Sequence, residues 1–348
     1  MVPQALSDRE RRVLEAVIQS YVETAEPAGS RTISRRFGIG VSAATIRNTM
    51  SDLEEKGFLF HPHTSAGRVP TDAAYRAYVD SLLHVATSLD AGSQEFLREE
   101  LSAGGTAIEA ILRRAAQVLG VLTQELGVAI GPQLAVARLE RLELVRLSAE
   151  RLLMVLRLTG GAAQSIFVEV PGEIAEAALA EVARILNERL AGLLLREIRA
   201  TLAARLRDTA APREAKELLN IFIQEAEQLF EMAKPLDEGP VLLGQTSVLV
   251  EQPEFANSRS LRRLLALTDR PDALGNLVRR QHTRPGLSIT IGTEHGDPDL
   301  SDFTLVTAEF QLGGLSGVIG VIGPTRMPYE KVITLVTHTS RLLAELID

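Results

Sequence analysis

Apolar positions recur at helical spacing from the start of the chain. Val13, Leu14, Val17, Ile18, Tyr21 and Val22 form one stripe and predict an amphipathic helix. Ser7, followed three residues later by Glu10, has the capping-box spacing that starts such a helix, and Pro27 and Gly29 end the region. In "SRTISRRFG" a shorter helix would turn Ile33 and Phe37 inward and leave Arg35 and Arg36 in solvent. After Gly38 and Gly40, Ser42 caps a third helix whose buried edge is Ile46, Met50 and Leu53. Its opposite edge shows Ala44, Asn48 and Ser51, flanked by Thr45 and Arg47.

Beyond Gly57 the period changes. Phe58, Leu59 and Phe60 suit a short strand and Val69 begins its return, with Ser65, Ala66, Gly67 and Arg68 as the tip. Thr71 then caps a fourth helix carrying Ala74, Tyr75, Tyr78, Val79 and Leu82 on one side. Two helices joined by a glycine turn and followed by a hairpin describe a winged helix-turn-helix. The third helix shows a small polar face, which suits a major groove about 12 Å wide. Asn48 fits a bidentate contact with adenine, and Arg47 fits guanine or a phosphate. Thr45 is expected to read a base alongside Asn48. Arg31, Arg35, Arg36 and Arg68 are the expected phosphate contacts, and Ser42, Ala44, Ser65 and Gly67 belong to the same surface. Periodicity alone fits an ordinary surface helix equally well, so the charge pattern has to separate the two.

The remainder reads as α+β. The polar stretch at 87–94 is a hinge, and a helix follows near Ala107–Leu126. Six strand-like runs come next, beginning at Leu142, Leu152, Gln164, Leu287, Phe303 and Gly317. A last helix from about Tyr329 to Ile347 buries Val332, Leu335, Val336, Leu342, Leu343 and Leu346. Between the two groups of strands, 213–232 carries Leu218, Phe222, Ala226, Leu229 and Phe230 on one side, a stripe that fits either intramolecular core or half of a dimer interface. The glycines of "GGLSGVIGVIGP" lack the Lys-Ser/Thr of a phosphate loop and fit a strand held close to a neighbour.

Charge changes the picture of the first segment. The 348 residues carry a net charge of −8. Residues 1–84 hold 10 basic and 10 acidic residues, and Pro27 to Ser51 contains Arg31, Arg35, Arg36 and Arg47 with no acid. A basic face on a neutral segment favours phosphate contact over a bland bundle helix. There is no cysteine, which excludes disulfides, thiolate zinc sites and cysteine nucleophiles. His61 and His63 make at most two metal ligands, and His84, His282, His295 and His338 show no paired spacing, so neither metal nor cofactor is expected. Glu294, Asp297 and Asp299 read as a solvated acidic turn, and nothing resembles a nucleophile motif, so the chain is not expected to be an enzyme. No apolar run is long enough to span a membrane, and the expected location is the cytoplasm.

Three blocks in this order, "LSDRERRVLEAVIQSYVETAEPAGSRTIS", "VSAATIRNTMSDLEEKGFLFHPHTSAGRVPT" and "GPTRMPYEKV", resemble the heat-inducible transcription repressors of the HrcA type. The resemblance runs over nearly the whole chain. It implies a homodimer that binds an inverted-repeat operator in double-stranded DNA upstream of chaperone operons, with activity maintained by a GroE-type chaperonin. It places the DNA-reading helix on Ser42–Glu55 and the wing on Phe58–Pro70. It also implies a GAF-like domain and an inserted dimerising domain, which favours an interface role for the 213–232 stripe. The expected layout is 1–86 winged helix-turn-helix, 95–191 GAF-like first part, 192–255 inserted dimerisation domain and 256–348 GAF-like second part. Two departures fall late: "GTEH" at Gly292–His295 where the family pattern has Gly-Glu-Glu-Asn, and Phe310 in place of a tyrosine. A rival reading keeps the DNA head and gives the GAF-like domain a small effector; another adds an enzyme, for which no convergent polar cluster is visible.

Overall fold

The computed structural model describes residues 6–63, 67–83, 88–103, 108–159, 163–172, 174–207, 209–224, 239–256, 258–281, 286–312 and 315–347. Its head begins with α1 (Asp8–Thr24), where Ser7 and Glu10 close the capping box and Val13, Leu14, Val17 and Ile18 are buried. Then come α2 (Ser30–Arg36) and α3 (Ala43–Glu55). A two-stranded hairpin follows, β1 (Leu59–Phe60) pairing antiparallel with β2 (Val69–Pro70). The head ends in α4 (Asp72–Leu82), capped by Thr71.

Glu10 does more than cap α1. Its carboxylate accepts a 2.6 Å hydrogen bond from Lys56, which closes α3, and so ties the two helices together. That bond, with the Ser7 backbone N–H, holds the carboxyl down to about 2. A depressed folded-state value gives stabilisation that is complete above the ordinary carboxylate range and is lost as pH falls toward 2. Lys56→Met is therefore expected to cost about 1 kcal/mol at neutral pH. The difference from the wild type should shrink below pH 4 in a pH series of denaturation curves. A constant difference down to pH 2 would exclude the pair as its source.

The rest of the molecule is built on two sheets. After α5 (Ala91–Ser102) and α6 (Ile108–Thr123), β3 (Leu126–Ile130) enters a five-stranded antiparallel sheet. The other members are β7 (Val241–Leu243), β8 (Leu287–Ile291), β9 (Phe303–Leu312) and β10 (Leu315–Pro324), in the order β7-β3-β10-β9-β8. One face packs against α6 and the C-terminal helix (Tyr329–Ile347) in an apolar cluster continuous with the head, through Tyr75 beside Tyr329. The other face packs against the helices Ser258–Thr268 and Pro271–Gln281 through Leu264, Leu274 and Val278. No helix among the described residues is long and apolar enough to cross a membrane.

The chain is mixed helix and sheet, but its six expected strands do not share one unit. β4 (Leu139–Arg146), β5 (Arg151–Leu158) and β6 (Ala163–Glu169) form a separate three-stranded sheet. That sheet is covered on one face by α7 (Glu176–Leu190), α8 (Leu195–Leu206) and α9 (Arg213–Gln224). The five-stranded sheet is thus interrupted between Ile130 and Val241, and the 191/192 boundary expected from sequence cuts through the interrupting unit. Two strands were missed. Leu126–Ile130 is buried at all five positions, so it shows no alternation and reads as the tail of a helix. Val241–Leu243 has only three residues. The described part of the 213–232 stripe is intramolecular core. Leu218 and Phe222 are buried within this chain against α7, α8 and the three-stranded sheet, while Ala226, Leu229 and Phe230 lie outside the described residues.

Candidate nucleic-acid interface

The third helix is positioned by its buried edge. Ile46, Met50 and Leu53 are sealed in the head core, with Thr49, not expected there, buried beside them. Ser42 caps the helix: its hydroxyl accepts the Thr45 N–H at 3.1 Å and lies 3.0 Å from the Thr45 hydroxyl. Thr45 is therefore half-buried and already engaged, whereas Ser42, Ala44, Arg47 and Asn48 are exposed. Placing Ile46 and Met50 inward forces Ala44, Arg47 and Asn48 outward, since one helical face cannot serve both.

Arg31 and Arg35 are exposed on α2 and, like Arg47, form no ion pair among the described residues. Arg36 is different. Its guanidinium pairs with Glu23 of α1 and stands 5.6 Å from the Phe37 ring centroid, so its charge is partly committed within the head.

The wing departs from expectation. Arg68 is no tip residue: its side chain is 12% exposed and its guanidinium lies 2.8 Å from Glu54 of α3. It also donates to the Ser51 hydroxyl at 3.1 Å. Glu54 takes a further 2.6 Å contact from His61 Nδ1, and this bond, with the Arg68 charge, holds its carboxyl below the usual range. Arg68 also forms a reciprocal pair of 2.9 Å backbone hydrogen bonds with Ala28, joining the hairpin to the α1–α2 connection. Gly67 is needed for that approach, because a Cβ there would sit 2.5 Å from the Ala28 carbonyl and from the Pro27 oxygen. Gly67 thus lets the hairpin close on the α1–α2 connection, and Arg68 fastens it to α3. Ser65 lies outside the described residues. The partners Ser51, Glu54 and His61 were missed, since pairing across 7, 14 or 17 residues between a helix and a hairpin has no local signature.

The assembled surface is the acid-free first half of α3, with Ala44, Arg47 and Asn48 exposed, Arg31 and Arg35 exposed on the adjoining α2, and the hairpin bonded to Ser51 and Glu54. Comparison with known proteins decides the family. The description "HrcA protein C terminal domain" matches residues 109–333. The "Heat-inducible transcription repressor HrcA" of Chlorobium chlorochromatii is 38% identical, covering 97% of both chains. The chain belongs to the HrcA family of heat-inducible transcription repressors. The HrcA protein of Geobacter sulfurreducens is 36% identical over 99% of this chain and 98% of its own. A solved structure described as a hypothetical protein at 2.2 Å resolution covers 99% of each chain with a TM-score of 0.71 at 22% identity, which shows a shared fold. The match to the HrcA C-terminal domain takes in both sheets, so the unit carrying β4–β6 and α7–α9 is part of the family's body rather than an appendage.

Proposed function

We propose that this cytoplasmic chain represses transcription as a homodimer that places two copies of α3 in successive major grooves of an inverted-repeat operator. The head is then a winged helix-turn-helix, the five-stranded sheet with its flanking helices a GAF-like domain, and residues from about 137 to 224 the inserted dimerisation domain. The observation that carries this reading is the exposed Ala44–Arg47–Asn48 face of α3, with Arg31 and Arg35 exposed on the adjoining α2 and in no ion pair among the described residues. Asn48 reads a base, Arg47 a base or a phosphate, and Arg31 and Arg35 hold phosphates. Centres of the two reading helices should lie about 34 Å apart per helical turn of DNA. Following the family resemblance, the operator stands upstream of chaperone genes, and a GroE-type chaperonin sustains the active form.

The test is fluorescence anisotropy of the full chain on an inverted repeat from upstream of its host's chaperonin operon. A scrambled duplex serves as control, at two salt concentrations, with and without chaperonin. Tight binding to the repeat alone, strengthened by chaperonin, is the expected result. Equal, salt-sensitive binding to both duplexes would remove the operator from the reading.

The dimer surface is best supported on the open face of the three-stranded sheet. Val145, Leu153 and Phe167 face one another across β4, β5 and β6 and form an apolar row, Phe167 being 59% exposed. Phe167→Glu is expected to halve the mass seen in sedimentation at micromolar concentration and to weaken operator binding about a hundredfold, as the second half-site ceases to be an intramolecular event. An unchanged sedimentation coefficient would move the interface elsewhere.

A further inference from the structure

Besides the apolar packing of Tyr75 on Tyr329, the head meets the body at one small turn. On α4, Asp72 and Arg76 stand one helical turn apart, and both are taken up by the turn Ile291–His295 that follows β8. Thr293 donates its backbone N–H and its hydroxyl to Asp72 Oδ2, each at 2.9 Å. Arg76 forks onto Glu294, with Nε at 2.7 Å from Oε1 and Nη2 on Oε2. The same Nη2 donates to the Ile289 carbonyl at 2.7 Å. Glu294 is itself aimed by its own turn, accepting the Ile291 N–H at 2.9 Å. Gly292, at φ +51°, makes room for this: a Cβ there would lie 2.4 Å from the Asp72 carboxylate.

A contact of this kind is more than an exposed ion pair. The Arg76 and Glu294 side chains are 28% and 33% exposed, the fork is bidentate, and both partners are pre-oriented. It also connects directly to the DNA-reading helix. Thr71, the residue before Asp72, donates its hydroxyl to the carbonyls of Gly57 at 2.8 Å and Phe58 at 3.1 Å, where α3 ends. Hydrogen bonds therefore run from the end of α3 through Thr71 and Asp72 to Thr293. Arg326 also pairs with Glu254 and donates to the Val22 carbonyl near the end of α1. These polar contacts and the Tyr75–Tyr329 packing together hold the head on the body.

We propose that Arg76, Asp72 and the 291–294 turn are positioning residues that fix the angle of α3 on the body and so select the half-site spacing two copies accept. The inference rests on the dimeric operator-binding reading above. With both heads rigid on one body, the second half-site is met at high effective concentration at one spacing and at low concentration elsewhere. A loosened head spreads the same encounters over several spacings, lowering the optimum and raising the flanks. Arg76 touches no DNA in this scheme; it acts through the direction in which Asn48 and Arg47 point.

The test uses the full chain and duplexes that the wild type itself enriches from a random library. Spacers between the half-sites are then lengthened and shortened one base pair at a time through a helical turn, and a single half-site duplex is included. Arg76→Ala is expected to weaken binding about tenfold at the optimal spacing and to leave the single half-site unchanged. Arg76→Lys, which keeps the charge without the fork, should lie between, at about threefold. Glu294→Gln should reproduce the broadened profile from the other side of the contact. Spacing profiles that superimpose on the wild type would overturn the proposal, and so would an equal loss on every duplex, single half-site included, which marks a damaged head. Failure of the underlying reading shows separately: the wild type would then bind two half-sites no better than one.

Discussion

Gly127→Ala is expected to cost the body about 3 kcal/mol or more, a large part of the stability of an ordinary domain. Gly127 lies in β3 and is opposite Val321 of β10. Its carbonyl accepts the Gly244 N–H at 2.8 Å. On the remaining side α6 crosses so close that a Cβ at 127 would stand 1.8 Å from the Ala116 carbonyl oxygen and 2.7 Å from its carbon. No rotamer relieves this contact, because both sides are backbone. Either α6 lifts from the sheet, opening the cluster around Leu112, Ala115 and Leu119, or β3 leaves the ladder. Interiors packed to crystal density accommodate neither cheaply. Chemical denaturation followed by far-UV circular dichroism measures the loss. Gly172→Ala is the control: a Cβ there meets nothing within 4 Å, so its midpoint should stay within about 0.5 kcal/mol of the wild type. Equal midpoints for the two variants would mean that α6 does not pack on β3 at the distance described.

The contrast between the head and the body shows what a sequence carries. Three of the head's four helices announce their start with a residue whose partner is three positions away: Ser7, Ser42 and Thr71 all cap where expected, while α2 starts at Gly29 without a side-chain cap. Burying Ile46 and Met50 then places Asn48 and Arg47 outside by helical geometry alone, so the exposed face of α3 was legible before any tertiary contact was known. Strand pairing has no such short-range signal. The alternation in β5, where Leu152, Met154, Leu156 and Leu158 are buried, identifies a half-buried strand correctly, yet says nothing about which sheet it joins. β3, enclosed on both faces, lost even that alternation. The same limit applies within the site. Arg68 was legible as a cation near the wing, but its commitment to Glu54 and Ser51 depends on the hairpin register, and its neighbour Gly67 on the passage of Ala28. The "GTEH" departure, expected to concern the body alone, turns out to meet α4 of the head through Thr293 and Glu294.

Asn48→Ala is expected to cost about 1–3 kcal/mol of operator binding, roughly a 5- to 150-fold loss, while binding to random DNA stays nearly unchanged. Three properties of the position make the result interpretable. The side chain is exposed and makes no hydrogen bond among the described residues, so its removal leaves no partner unsatisfied. Alanine is the better helix former, so α3 keeps its shape and the head its stability within about 0.5 kcal/mol. The residue is also uncharged, so the slope of log affinity against log salt should not move, whereas Arg47→Ala, if that guanidinium holds a phosphate, should flatten it by about one. The neighbourhood supports base reading over mere proximity. In the proposed complex Ala44, one turn earlier, would be too small to keep the helix from the groove floor, and Asp52, one turn later, exposed and acidic, would disfavour phosphate contact by the C-terminal half of α3. Anisotropy titrations on the operator and on a scrambled duplex, each at two salt concentrations, provide all four numbers needed. A loss of the same size on both duplexes would show that Asn48 steadies the complex without reading sequence. Base recognition would then have to come from Arg47 alone or from the shape of the DNA.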